Sequence, residues 1–257
     1  MSRVYLIGAG PGDPELLTRK AFRLLESAGV VLHDSLVSSE ILALIPSTAE
    51  RVDVGKRRGV RLLSQDDINA LLVSYSRTHE SVVRLKGGDP MLFGRAAEEI
   101  QALREAGVSF EVVPGISAAF AAAAASGVSL TDRRVASSVL FATYSRAPEA
   151  PLLPAVALSA ETTLVVYMPG PDYSGVSRWL LDSGIVAETP CLVISKASRR
   201  DQLVQPAPLS RLSALPPLPA PALLLVGRVA AQCAGASSAL DLLSGLSLPD
   251  QLESFIS

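Results

Sequence analysis

Val4-Tyr5-Leu6-Ile7-Gly8-Ala9-Gly10-Pro11-Gly12-Asp13-Pro14 is the stretch that decides the fold class. Four apolar residues in a row, stopped by glycine and proline, read as a buried strand that ends in a tight loop. A helix is expected over residues 14–28, where Leu16, Leu17, Ala21, Leu24, Leu25 and Ala28 share one face at helical spacing. The same couplet recurs downstream. Short apolar runs at 30–32, 52–54, 82–85 and 110–113 read as strands. Helical patterns at 40–45, from Ser64-Gln65-Asp66-Asp67 through Tyr75, and at 92–106 lie between them. Strands alternating with helices imply an α/β fold with a parallel sheet covered on both faces. Such sheets bind ligands at the carboxyl ends of their strands.

After Pro114 the texture changes. An Ala-rich helix is expected over 116–126. Strands follow at 138–143, 163–168, 190–194 and 222–226, with one long helix at 173–182. The stretch 206–221 holds six of the 18 prolines and reads as a loop or sheet edge. The expectation is two α/β domains, 1–113 with a parallel sheet and 114–257 with a mixed sheet and the Pro-rich loop 206–221.

Composition narrows the class. The chain has 257 residues, 49% apolar and 19% charged, with 23 basic against 25 acidic side chains. At this length about three quarters of the unfolded surface is buried on folding, enough for a stable core without staples. The balanced charge argues against a nucleic-acid partner. The longest apolar runs are too short for a membrane span, and the N-terminus lacks the apolar core of a secretory signal, so a cytoplasmic protein is expected. Cys191 and Cys233 have no metal or redox spacing and read as buried thiols. With only two cysteines and two histidines, no zinc-type metal site is expected.

Three loops at strand ends could carry chemistry. Gly8-Ala9-Gly10-Pro11-Gly12-Asp13 lets backbone approach a ligand closely, but Asp13 stands where the dinucleotide fingerprint needs Gly or Ala. Gly87-Gly88-Asp89-Pro90 repeats the theme after the fourth strand. Gly115-Ile116-Ser117-Ala118 repeats it after the fifth, where Ser117 either caps the next helix or faces a ligand. Paired glycines beside carboxylates suit a neutral or cationic ligand better than a triphosphate.

Taken with His33-Asp34-Ser35-Leu36-Val37, Val54-Gly55-Lys56-Arg57, Lys86-Gly87-Gly88-Asp89-Pro90-Met91-Leu92-Phe93-Gly94-Arg95 and Thr163-Leu164-Val165-Val166-Tyr167-Met168, these loops closely resemble the tetrapyrrole methylase family, in order and in spacing. The likeness runs from about residue 4 to 229. It implies two α/β domains with S-adenosylmethionine bound in the cleft between them, S-adenosylhomocysteine as product, a small tetrapyrrole substrate and a homodimer. It implies donor contacts from Pro11, Gly87, Gly88, Asp89, Leu92, Ser117, Ala118, Met168 and Ala197, with Asp34 as proton acceptor and Lys56 as proton donor. The segment around Asp34 resembles the branch that methylates uroporphyrinogen III twice, at C2 and C7, giving precorrin-2 by way of precorrin-1 for siroheme or cobalamin. The alternatives are another corrin-pathway C-methyltransferase or a non-catalytic module binding the tetrapyrrole or the donor. His33, Ser35, Arg61, Asp132, Arg134, Tyr144-Ser145 and Ala96-Ala97 depart from the family's usual residues, mostly on the substrate side.

Overall fold

A computed structural model of the chain describes residues 2–55, 63–144, 159–170 and 172–233. Two five-stranded sheets organise it. The first is all-parallel and holds β1 (Arg3–Gly8), β2 (Val30–His33), β3 (Glu50–Asp53), β4 (Ser81–Lys86) and β5 (Phe110–Val113), in the order β3-β2-β4-β1-β5. Alternation along each strand builds two cores. Ile7, Val31, Val83 and Leu85 point to the side covered by α1 (Arg19–Glu26) and α2 (Ser39–Leu42), through Ala21, Leu25 and Ile41. Val4, Leu6, Val30, Leu32 and Val82 point to the side covered by α3 (Gln65–Tyr75) and α4 (Ala96–Glu105), through Ile68, Leu72, Ile100 and Leu103. With both faces covered, the strands read as continuous apolar runs, as parallel strands do. Each fully buried Leu or Ile here stabilises the fold by about 1.5–3 kcal/mol.

Local signals set the helix ends. Ser64 starts α3 through a reciprocal capping box: its side chain accepts from the Asp67 amide at 3.1 Å, and the Asp67 carboxylate accepts from the Ser64 amide at 2.8 Å. Ser64→Ala is expected to cost about 1 kcal/mol. It would be read as a lower urea midpoint at unchanged slope.

Two expected helices are shorter than their apolar patterns. The 14–28 pattern splits into a 3-10 turn, Pro14–Leu16, and α1. Leu17 is extended, with ψ 137°, and the Thr18 side chain caps α1 by accepting from the Ala21 amide at 3.2 Å. The 92–106 pattern begins as helix only at Ala96, because Phe93 and Arg95 turn left-handed, at φ 53° and 56°.

The second sheet is mixed and holds β6 (Ser138–Thr143), β7 (Thr162–Tyr167), β8 (Pro190–Ser195), β9 (Leu203–Pro208) and β10 (Ala222–Val226), in the order β6-β7-β10-β8-β9. β6 and β7 run parallel. The stretch 206–221, expected as a loop or sheet edge, begins as the end of edge strand β9 and continues into the short helix α7 (Leu209–Leu212). An edge position tolerates Pro206 and Pro208, which lack an amide hydrogen. α5 (Ala118–Ser126) and α6 (Ser174–Asp182) lie where helices were expected.

The chain divides into two compact units. Among the described residues, one comprises 2–55, 63–125, 194–203 and 218–223, the other 126–144, 159–170, 172–193, 204–217 and 224–233. α5 therefore groups with the first sheet, beyond the expected boundary at 113. Cys191 and Cys233 are buried thiols, and burial pushes the pKa of both upward.

Candidate functional site

Three loops leave the carboxyl ends of the adjacent strands β4, β1 and β5 and pack backbone against backbone. The Ala9 amide donates to the Lys86 carbonyl at 2.7 Å, and Gly10 and Gly88 exchange amide–carbonyl bonds at 3.2 and 2.7 Å. A Cβ on Gly8 would lie 2.5 Å from the Gly115 nitrogen and 2.7 Å from the Gly88 carbonyl oxygen. Only glycine permits this approach. Asp89 ties the floor together: one carboxylate oxygen accepts from the Met91 amide at 2.8 Å, the other from the Gly115 amide at 3.0 Å.

Pro11, Gly87, Gly88, Asp89, Leu92, Ser117 and Ala118 are thus all carried by these three loops and the turns that continue them. Pro11 and Ser117 are buried, Gly87 and Gly88 partly so. Gly88 holds φ 69°, and a Cβ built on it would meet only the Ala118 amide nitrogen, at 3.8 Å. The position is an open cradle that a side chain would fill, and open space over backbone fits the close approach of S-adenosylmethionine. Ser117 precedes α5, and its carbonyl accepts from the Phe120 and Ala121 amides.

Ala197 is buried between two left-handed residues, Lys196 (φ 52°) and Ser198 (φ 64°), in the stretch that groups with the first unit. Its neighbour Arg199 donates to the Pro11 carbonyl at 3.2 Å and to the Leu36 carbonyl at 2.8 Å. Met168 belongs to the second unit, where it follows β7 as a half-exposed left-handed residue at φ 52° and not as part of the strand.

Asp34 follows β2, the strand beside β4. Its amide donates to the Leu85 carbonyl at 3.3 Å. Its carboxylate Oδ1 accepts from Arg84 Nη2 at 2.5 Å. Arg84 is buried, and its Nε donates to Glu99 Oε1 at 2.9 Å. Lys86 Nζ reaches the same oxygen at 2.9 Å. Burial alone would lower the Arg84 pKa, but the Asp34 and Glu99 charges outweigh it and raise it above its ordinary value. Burial, aided by the Arg84 charge, pulls the Lys86 ammonium below its ordinary value. Lys56 lies outside the described residues, as do Arg57, Arg58 and Arg61. The residue before Lys56, Gly55, packs against the Asp34 loop: a Cβ there would overlap the Ser35 backbone.

Sequence reasoning missed Arg84, Lys86, Glu99 and Arg199 as residues around the site. The available signal was an arginine and a lysine at alternate positions of an otherwise apolar strand. Farther along, Arg134 pairs with Asp132 at 2.7 Å. Its side-chain and amide bonds, with one from Gln232, hold the Asp132 carboxyl well below the usual range. Among the described residues no group of three His, Cys, Asp or Glu side chains is arranged to hold a metal.

The chain is similar to known proteins along most of its length. The family model for Tetrapyrrole (Corrin/Porphyrin) Methylases matches residues 3–213. A uroporphyrinogen-III C-methyltransferase of Paracoccus denitrificans is 45% identical over 236 residues, covering 90% of this chain and 82% of its own. A siroheme synthase of a Psychrobacter species is 44% identical over 90% of this chain but only 48% of its own length, so the chain spans about half of such relatives. Among solved structures, a uroporphyrin-III C-methyltransferase from Thermus thermophilus complexed with S-adenosylhomocysteine superposes with a TM-score of 0.77 at 40% identity, covering 89% of this chain and 98% of that one. A cobalt precorrin-4 methyltransferase superposes with a TM-score of 0.72 at 28% identity, covering 89% and 95%.

Proposed function

Because the chain belongs to the tetrapyrrole methylase family, we propose that it transfers methyl groups from S-adenosylmethionine to carbon atoms of uroporphyrinogen III, twice, to give precorrin-2. One observation carries the reading. A carboxylate, Asp34, is pinned by a buried arginine at the carboxyl edge of the sheet whose neighbouring loops form the glycine cradle. That juxtaposition supports the reading of Asp34 as a proton acceptor beside a donor-binding floor.

When bound, S-adenosylmethionine supplies a sulfonium methyl that an electron-rich pyrrole carbon attacks in line, leaving S-adenosylhomocysteine. The chain's own task is largely positioning. The cradle at Gly87, Gly88 and Ala118 holds the donor by backbone groups, with Pro11, Asp89, Leu92, Ser117 and Ala197 around it; Met168 is assigned to the donor by resemblance alone. Asp34 accepts the proton that the methylated ring sheds. Among the described residues only Arg84 bonds the Asp34 carboxylate, through Oδ1, which leaves Oδ2 for that proton. Lys56 is assigned as proton donor by resemblance alone.

We propose a homodimer on the same resemblance, and keep the cytoplasm, expected from the sequence, as its compartment. Among the described residues no helix is long and apolar enough to cross a membrane. The test of the reaction is anaerobic incubation of the chain with uroporphyrinogen III and methyl-labelled donor. Two labels per tetrapyrrole and the absorbance of the dimethylated product are expected. Donor binding with no transfer would favour a non-catalytic module, and transfer only to a later corrin precursor would favour another member of the family.

A further inference from the structure

Four charges form a chain on one face of the first sheet. Val30, Leu32 and Asp34 occupy successive positions on that face of β2 and its extension. Val82, Arg84 and Lys86 do the same on β4. The register pairs Leu32 with Arg84, so the next residue of the row, Asp34, falls within reach of the Arg84 fork. From α4, the wholly buried Glu99 accepts from both Arg84 and Lys86 on a single oxygen, Oε1, with Gln65 of α3 also on it at 3.4 Å. Its second oxygen, Oε2, is buried without a hydrogen-bond partner.

A buried ion pair is poor value as a stabiliser, since apolar residues of similar volume often do as well or better. Among the described residues Glu99 bonds Arg84, Lys86 and Gln65, none of them among the residues assigned to the donor. Its charge is spent on Arg84, whose far nitrogen holds Asp34. Arg84 is thereby anchored at both ends: Nε to Glu99, Nη2 to Asp34, and Nη1 at 3.3 Å from the Leu85 carbonyl.

We propose that Glu99 is a positioning residue, acting through Arg84 to fix the Asp34 carboxylate in the orientation that proton transfer requires. The proposal rests on the reading of Asp34 as proton acceptor. Lys86 completes the set by balancing the second negative charge, so two cations face two carboxylates. Without the Glu99 charge, Arg84 has one carboxylate in place of two, its guanidinium is free to follow Asp34 outward, and the carboxylate loses its fixed origin. A displacement of about 1 Å at a reacting group can lower a rate by a factor of about 100.

The experiment is a double-mutant cycle between Glu99→Gln and Asp34→Asn, with single-turnover methylation rate and donor dissociation constant both measured. Glu99→Gln keeps the shape and is expected to slow methylation about 10- to 100-fold, in the range such misplacement produces. Donor affinity is expected to stay within about twofold, which a general loss of structure would not spare. The double variant is expected to be no slower than Asp34→Asn alone, because there is no longer a carboxylate to position. Should Glu99→Gln fail to fold, Lys86→Met combined with Glu99→Met removes one charge of each sign, leaves the Arg84–Asp34 pair intact and is expected to show the same loss of rate with donor affinity retained. A normal rate in either variant, or losses that simply multiply in the cycle while Asp34→Asn is slow, would overturn the brace and leave the role of Asp34 standing. A normal rate in Asp34→Asn itself would overturn both.

Discussion

Gly8→Val is expected to abolish binding of S-adenosylmethionine and to lower the thermal midpoint by roughly 6–12 °C. Three loops meet at this residue, and they meet through backbone. The added Cβ would sit 2.5 Å from the Gly115 nitrogen, 2.6 Å from its Cα and 2.7 Å from the Gly88 carbonyl oxygen. None of these is the end of a flexible side chain that could swing away. Relief requires the loops after β4 and β5 to move apart from β1, breaking the Gly10–Gly88 bridge that joins two of them. Overpacking of this kind costs about 3 kcal/mol, and in a chain of this size each kcal/mol lowers the midpoint by about 2–4 °C. The same movement opens the floor formed by Gly87, Gly88 and Ala118. Isothermal calorimetry with the donor, beside a melting curve, checks both effects. Gly107→Ala is the control: that glycine, unlike Gly8, has positive φ, at 66°, and nothing lies within 4 Å of its added Cβ. It should cost backbone strain alone and bind donor normally. Unchanged affinity in Gly8→Val would remove the three-loop floor from the donor site.

The contrast between Gly8 and Arg84 shows what kind of information a sequence makes visible. Gly8, Gly10, Gly88 and Gly115 mark themselves, because a close backbone approach leaves a local trace: a glycine directly after an apolar run. The five strands of the first sheet were legible for the same reason, as was the α3 start, where Ser64 and Asp67 have the spacing of a capping box. The carboxylate brace had no such trace. Alternation places Asp34 on the row of Val30 and Leu32, and Arg84 and Lys86 on the row of Val82, but the rows become neighbours only through the order β2-β4, which no local pattern encodes. Glu99 on α4 looks, in sequence, like one of several acidic residues on a solvated helix face; burial at 0% exposure is a product of that same order. Helix ends failed for a different reason. Apolar periodicity continues through Leu17 and through Leu92 and Phe93, while the backbone has already turned; Thr18 and Gly94 were the residues that signalled it. β9 was hidden by Pro206 and Pro208, which argue against a central strand and are compatible with the edge that it forms. Asp34 carries no intrinsic mark of function, and its assignment came from resemblance. What the structure adds is its fixed contact with Arg84.

Asp34→Asn is expected to slow methyl transfer by about two to four powers of ten, the span usual for a lost general base, with the donor dissociation constant nearly unchanged. The substitution is close to isosteric. The amide oxygen can still accept from Arg84 Nη2, and the Asp34 backbone bonds to Leu85 and Val37 do not involve the side chain. The donor floor, built from the loops after β1, β4 and β5, keeps all its contacts. What disappears is the basicity of the oxygen not engaged by Arg84. Rapid-quench measurement of labelled methyl on the tetrapyrrole reads the step directly: the transfer itself should slow, which keeps Asp34 on the tetrapyrrole side. Normal methylation with weakened donor binding would instead move Asp34 to the donor side. The Arg84 contact would then hold a loop that shapes the donor pocket, and another group would have to take the proton.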